Sequence, residues 1–115
     1  MIRGNHDILP KKFYKESNIE VIENQFSIKK FCFTHDINTT CHDEEKDLFT
    51  FSGHVHPGIK MKGSGNQTVM LPCFYFGRKY AIMPAFSAFT GLAKIKPLQN
   101  DHVFALVENA VIKIQ

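Results

Sequence analysis

The chain has no tryptophan, only three cysteines among 115 residues, and no apolar run of membrane-spanning length. Each shortage excludes something. Cys32, Cys41 and Cys73 are odd in number and lack a CxxC spacing, which argues against a disulfide framework and against a cysteine-based zinc site, so reduced thiols are the expectation. The apolar stretches around Phe31 to Phe33, Leu71 to Phe76 and Ala81 to Phe89 fall well short of the roughly 20 residues a membrane helix needs. The N-terminus has neither the charged start nor the apolar core of a signal peptide. Together these absences predict a soluble, cytoplasmic chain with no membrane partner.

Eleven phenylalanines supply most of the aromatic content, and 43% hydrophobic with 22% charged residues is an ordinary globular balance. A chain of this length buries roughly two-thirds of its unfolded surface, enough for one domain over residues 1–115. The formal charge of +3 comes with basic pairs at Lys11-Lys12, Lys29-Lys30 and Arg78-Lys79. Such pairs suit a polyanionic partner and equally suit a solvated face.

Strand patterns dominate. Ile2-Arg3 reads as a strand stub ending at Gly4, and Pro10 to Ser17 as a short helix with proline in its first turn. Ile19 to Ile22 and Phe26 to Thr34 read as strands joined by a polar turn at Glu23-Asn24-Gln25. A polar loop or short helix is expected from Asp36 to Lys46, then a strand from Leu48 to Ser52. Gly63-Ser64-Gly65-Asn66 marks a hairpin between Ile59 to Lys62 and Gln67 to Phe76. Tyr80 to Met83, Val103 to Val107 and Val111 to Ile114 complete a β-dominated α/β chain with one or two short helices. The segments Leu71 to Phe76 and Ala81 to Phe89 are apolar on both faces, so they should be covered on two sides.

Three polar motifs punctuate these strands. Gly4-Asn5-His6-Asp7 occupies a strand-to-helix turn, His35-Asp36 follows an apolar strand, and Gly53-His54-Val55-His56 follows another. Imidazole, amide and carboxylate groups at strand ends are what a divalent metal and a phosphate ester require, because two cations can activate water and neutralise phosphoryl charge. His54 and His56, two apart at a strand end, should point to the same side and reach neighbouring metals. Asn5 offers an amide oxygen, His6 can protonate a leaving group, Asp7 can hold its tautomer, and Asp36 can orient His35. Each motif alone has an ordinary reading: Asn5 and Asp7 as helix caps, His35 as a core-edge histidine, His54 and His56 as turn residues. Their ordered coincidence favours the chemistry.

These residues resemble the calcineurin-like metallophosphoesterase superfamily, whose signature includes Gly-Asn-His-Asp/Glu, a lone His and Gly-His-x-His. Residues 52–58 (Ser-Gly-His-Val-His-Pro-Gly), 71–76 (Leu-Pro-Cys-Phe-Tyr-Phe) and 83–91 (Met-Pro-Ala-Phe-Ser-Ala-Phe-Thr-Gly) further resemble its DNA ligase-associated branch. The resemblance implies the C-terminal part of a four-layer αββα sandwich and a hydrolase of phosphate esters, phosphodiesters above all, with DNA among the candidate substrates and repair as the setting. It assigns Asn5, His35, His54 and His56 to metal and His6 with Asp7 to the leaving group. The cofactor it implies is a pair of divalent ions, Mn first and Fe or Zn as alternatives. The family also uses an Asp-x-His and a Gly-Asp-x-x-Asp, and neither occurs in these 115 residues. The expectation is therefore an N-terminally incomplete domain that holds at most one metal, has impaired activity, and exposes apolar sheet surface prone to self-association or to docking a missing N-terminal half.

Two other readings compete. One is a non-catalytic remnant that acts as a binding or oligomerisation module. The other is a mononuclear zinc module using Cys41, His42 and further cysteines, which lacks the usual paired spacing.

Overall fold

The computed structural model describes residues 1–39, 41, 47–87 and 90–115. The acidic run Asp43-Glu44-Glu45 and His42 lie outside the described residues. Among the described residues one α-helix, α1 (Lys11–Glu16), precedes nine strands: β1 (Gln25–Ile28), β2 (Phe31–Thr34), β3 (Phe49–Ser52), β4 (Pro57–Lys62), β5 (Thr68–Phe76), β6 (Tyr80–Ile82), β7 (Ala93–Lys94), β8 (His102–Val107) and β9 (Ala110–Lys113), with a 3-10 turn at Ser64–Asn66 between β4 and β5. The class is α/β with strands dominant.

Local chemistry explains the boundaries. Pro10 is extended at ψ 145 and no side chain caps α1, so Asn5 and Asp7 are not its caps. The segment from Phe26 to Thr34 is a hairpin rather than one strand: Ile28 pairs with Phe31, and Lys29 turns the chain at φ 54. Ile19 to Ile22 contributes only a parallel bridge between Ile22 and Ile2, closed by Arg3 N–H donating to Ile22 O at 2.8 Å and Ile22 N–H to Met1 O at 2.9 Å. That bridge fixes the stub from which Gly4 emerges.

β2, β3 and β6 run parallel, with Thr34 beside Ser52 and Ser52 beside Ile82, so their C-terminal ends meet at one edge. The ladder continues past the strands, as Gly53 N–H donates to His35 O and Met83 N–H to Ser52 O. β5 is shared: Thr68–Pro72 pairs with β4, while Cys73–Phe76 pairs with β8 and its last two residues with β6. Through this long strand the antiparallel β4–β5 ladder, with β7 alongside, joins the parallel group.

Alternation sorts the sheet into two unlike faces. Cys32, Thr34, Ser52, Ile82, Tyr75, Cys73, Val103 and Ala105 are buried on one. Cys73, Tyr75, Ile82 and Val103 form its centre, with Val55, Ile59 and Ile95 packed on them. Asp101, itself buried, accepts hydrogen bonds from Tyr75 Oη and Leu98 N. Burial and this bond push the Tyr75 phenol well above its ordinary range.

The opposite face follows from the registers: Phe26 beside Phe33, Phe33 beside Phe51, Phe51 and Phe76 flanking Ala81, and Phe74 beside Phe104. The Phe33 and Phe51 rings stack at 5.3 Å, and Phe76 meets Phe104 edge-on at 5.7 Å. Phe26, Ile28 and Phe31 remain 43–49% exposed. The two-sided cover expected for Leu71 to Phe76 is therefore supplied on one side only among the described residues, and Phe74, Phe76, Phe104 and Val111 line an open apolar groove.

The expectation of three reduced thiols does not hold. Cys32 and Cys41 form a disulfide across a Cα separation of 6.4 Å, and Cys73 is free. The loop carrying His35 and Asp36 returns Cys41 to the core side of β2, a closure that spacing alone did not announce. Burial raises the Cys73 thiol to about 11.

Candidate metal and phosphate site

His35 and His54 leave β2 and β3 from neighbouring parallel strand ends, and Asn5 leaves the stub held by Ile22. The three side chains converge. His35 Nε2 lies 2.8 Å from Asn5 Oδ1 and 3.1 Å from His54 Nδ1, and the two imidazoles meet edge-on at 4.9 Å. A single proton on His35 Nε2 can serve only one of its two neighbours. Otherwise three lone pairs face one another, an arrangement that a cation relieves.

Glycines make room for the central ring. A Cβ on Gly4 would stand 2.7 Å from His35 Cε1, and one on Gly53 would lie 4.0 Å from His35 Nδ1. The imidazole thus sits between two side-chain-free positions, one in each flanking motif. Burial lowers its pKa first, and the neighbouring His54 lowers it further, while Asp7 and Asp36 pull the other way. A neutral ring with a free lone pair is the form that binds metal.

The His54 and His56 geometry departs from the strand-end expectation. Both adopt the left-handed conformation, φ 57 and φ 52, with Val55 N–H donating to Gly53 O between them. Between them Val55 packs against the buried cluster, while His54 is exposed and His56 half-buried. Left-handed backbone at a non-glycine costs about 1–2 kcal/mol per residue, and its occurrence twice in three residues marks a constrained turn. His56 lies close enough for its charge to depress His35, and its carbonyl accepts a bond from Ala93 N.

Two supporting roles also differ. Asp7 does not hold His6: its Oδ2 accepts the Gly4 amide at 2.7 Å, tightening the turn, and His6 is exposed. Asp36 does not orient His35 by a hydrogen bond, since its Oδ1 accepts from Asn38 N and Nδ2, which holds that carboxyl below its usual range. The glycines and the His54 ring orient His35 instead. Sequence reasoning missed Gly4 and Gly53 as walls, although both stood inside the quoted motifs. The zinc-module reading loses Cys41 to its disulfide, and His42 lies outside the described residues.

The donors fit a divalent ion in kind, being two imidazole nitrogens and an amide oxygen, but not in number for a two-metal centre. Among the described residues no three His, Cys, Asp or Glu side chains cluster tightly enough to hold a metal by themselves. The site is open, with Asn5, His6 and His54 all exposed.

No family model and no curated protein matches the chain. One solved structure that does is the crystal structure of Pseudomonas putida nuclease MPE, to which the chain is similar at a TM-score of 0.73 and 26% identity over 98% of its own length. The chain spans about half of that nuclease, 52% of its length. Among the described residues no helix is long and apolar enough to cross a membrane.

Proposed function

We propose that this chain carries part of a metal-dependent phosphoesterase centre that hydrolyses phosphodiesters. The observation that carries the reading is the convergence of Asn5 Oδ1, His35 Nε2 and His54 Nδ1 from three separate strand ends. The likeness to a nuclease, a protein that cuts phosphodiesters, supports it. The quoted motifs support the metallophosphoesterase superfamily, and residues 71–76 and 83–91 its DNA ligase-associated branch.

A divalent ion, Mn foremost, supplies phosphoryl charge neutralisation and a water of lowered pKa when bound. Asn5, His35 and His54 would hold it, and His56, near enough for its charge to act on His35, would be the further imidazole available. His6, exposed at the rim, protonates the leaving oxygen. Asp7 locks the turn that aims Asn5 through its bond to the Gly4 amide. A carboxylate from outside these 115 residues is needed for a second ion, so this chain by itself binds one metal weakly and turns over slowly.

Assaying the purified chain with Mn²⁺ on bis(p-nitrophenyl) phosphate tests this. Slow, Mn²⁺-dependent hydrolysis lost in His35→Ala supports the reading. Full turnover refutes the missing carboxylate, and hydrolysis indifferent to His35→Ala refutes the site.

The uncovered phenylalanine face favours a second reading, a non-catalytic binding or oligomerisation module. It gains if His54→Ala changes metal content while leaving self-association intact and no hydrolysis is found in the unaltered chain.

A further inference from the structure

Arg3, two residues before Asn5, also lines a cavity of about 280 Å³ between α1 and the segment 19–23. The chain reversal at Asn18 builds it. That residue is left-handed at φ 52, and Ile19 N–H donates to Tyr14 O at 2.8 Å, which holds the departing segment against α1. Ile19, Val21 and Glu23 alternate onto one side of the segment and line the cavity from there. Lys11, Tyr14 and Lys15, spaced i, i+3 and i+4, share the helix face opposite. None of Asn5, His35 and His54 lines this space, so it is separate from the metal cluster.

Its charges are unbalanced. Three cations and one acid line it, and the acid is already engaged, since Glu23 Oε1 accepts from Arg3 Nη1 at 3.1 Å. Lys12 pairs with Glu16, whereas Lys11 and Lys15 have no acid partner among the described residues. Tyr14 adds a second signal. It is only 5% exposed, yet its hydroxyl has no hydrogen-bond partner among the described residues, where a phenol so enclosed normally finds one. Ser52 Oγ is the one unpartnered side-chain oxygen sealed from solvent among the described residues, so the Tyr14 hydroxyl reaches open space, and the space that Tyr14 lines is this cavity.

We infer that the cavity binds a phosphate monoester with an uncharged body, its oxygens on Lys11, Lys15 and the Tyr14 hydroxyl and its body on Ile19 and Val21. A phosphate monoester carries about −1.5 to −2 at neutral pH, which matches two unpaired ammonium groups, whereas a carboxylate brings a single charge. Hydrolysis of a phosphodiester leaves a phosphate monoester, so the ligand class is that of the reaction's product. That identification rests on the phosphodiesterase reading; the preference of the cavity for the anion does not.

The test is isothermal titration calorimetry of the whole chain with thymidine 5′-monophosphate, in EDTA so that no metal competes for the phosphate. Replacing Lys11 and Lys15 by glutamine should weaken binding roughly 5- to 30-fold, the scale of two exposed charge contacts. Replacing Lys29 and Lys30, at the turn of the β1–β2 hairpin, makes the same charge change and should leave affinity alone. Tyr14→Phe should weaken binding about 2- to 12-fold with no change in the thermal midpoint, because the hydroxyl holds nothing within the chain. Thymidine and inorganic phosphate should each bind more weakly than the monoester. Equal losses in the two lysine pairs overturn the site, as does no binding at all, or thymidine or phosphate binding as tightly as the monoester. Lysine-dependent monoester binding in a chain that hydrolyses no bis(p-nitrophenyl) phosphate supports the site and sinks the hydrolase reading alone, whereas hydrolysis without such binding sinks the site alone.

Discussion

The strand ends bearing His35 and His54 and the phenylalanine face of the same sheet are set by the same parallel registers, yet one is finished and the other is not. At the strand ends, polar groups meet within hydrogen-bond distance, glycines clear space for a ring, and turns are tied by backbone bonds. On the face, stacked rings find each other along the sheet but no layer above it among the described residues. The difference shows what each needs. Placing a few donors requires only neighbouring strands in register, which are local to the sheet. Covering an apolar face requires a second element of comparable area.

Reducing the Cys32–Cys41 bond should have the largest effect on the first region. It releases a short loop that carries His35, and loop closure of this size contributes roughly 2–3 kcal/mol. Urea unfolding with and without reductant should show that loss, and its absence would mean the loop is held by other contacts. Gly4→Ala comes next. Its methyl meets the His35 ring, so Mn²⁺ affinity should fall about 10- to 100-fold, the scale of disturbing groups that support a ligand. Gly91→Ala, with no atom within 4 Å of the new methyl, should leave affinity unchanged.

On the phenylalanine side, Phe31→Lys should weaken self-association about tenfold in sedimentation velocity, by charging a half-exposed ring position. Unchanged association would move the contact off this face. The smallest expected effect is in titration. His35 should have an NMR midpoint below the ordinary 6.5, because burial and His54 both oppose its charge. The unfolded chain then binds more protons than the folded one, so this group's contribution to stability falls as pH drops below 6.5. His54→Ala should raise the midpoint only partway, since burial is the larger cause.

Much of this was legible in the residues. Alternation and turn chemistry located β3 to β6 and β8 to β9 closely, and the three motifs named the residues that converge. The β1–β2 hairpin escaped because its turn is Lys29-Lys30, with no glycine or asparagine to mark a left-handed position. The conformations of His54 and His56 escaped because both are left-handed, at φ 57 and φ 52, at positions with no glycine or asparagine to mark such a turn. Asp7 and Asp36 were assigned to histidines but bind backbone amides instead, as short acidic side chains in turns commonly do. The disulfide was discounted on spacing, and only the return of the loop brings its partners together.

The central claim is that donors from three strand ends share one cation. Anomalous diffraction from crystals of this chain soaked in Mn²⁺ tests it most directly. A peak within coordination distance of Asn5 Oδ1, His35 Nε2 and His54 Nδ1 together is the predicted result. A peak bound elsewhere, or none at this cluster in crystals that take up the ion, would contradict it.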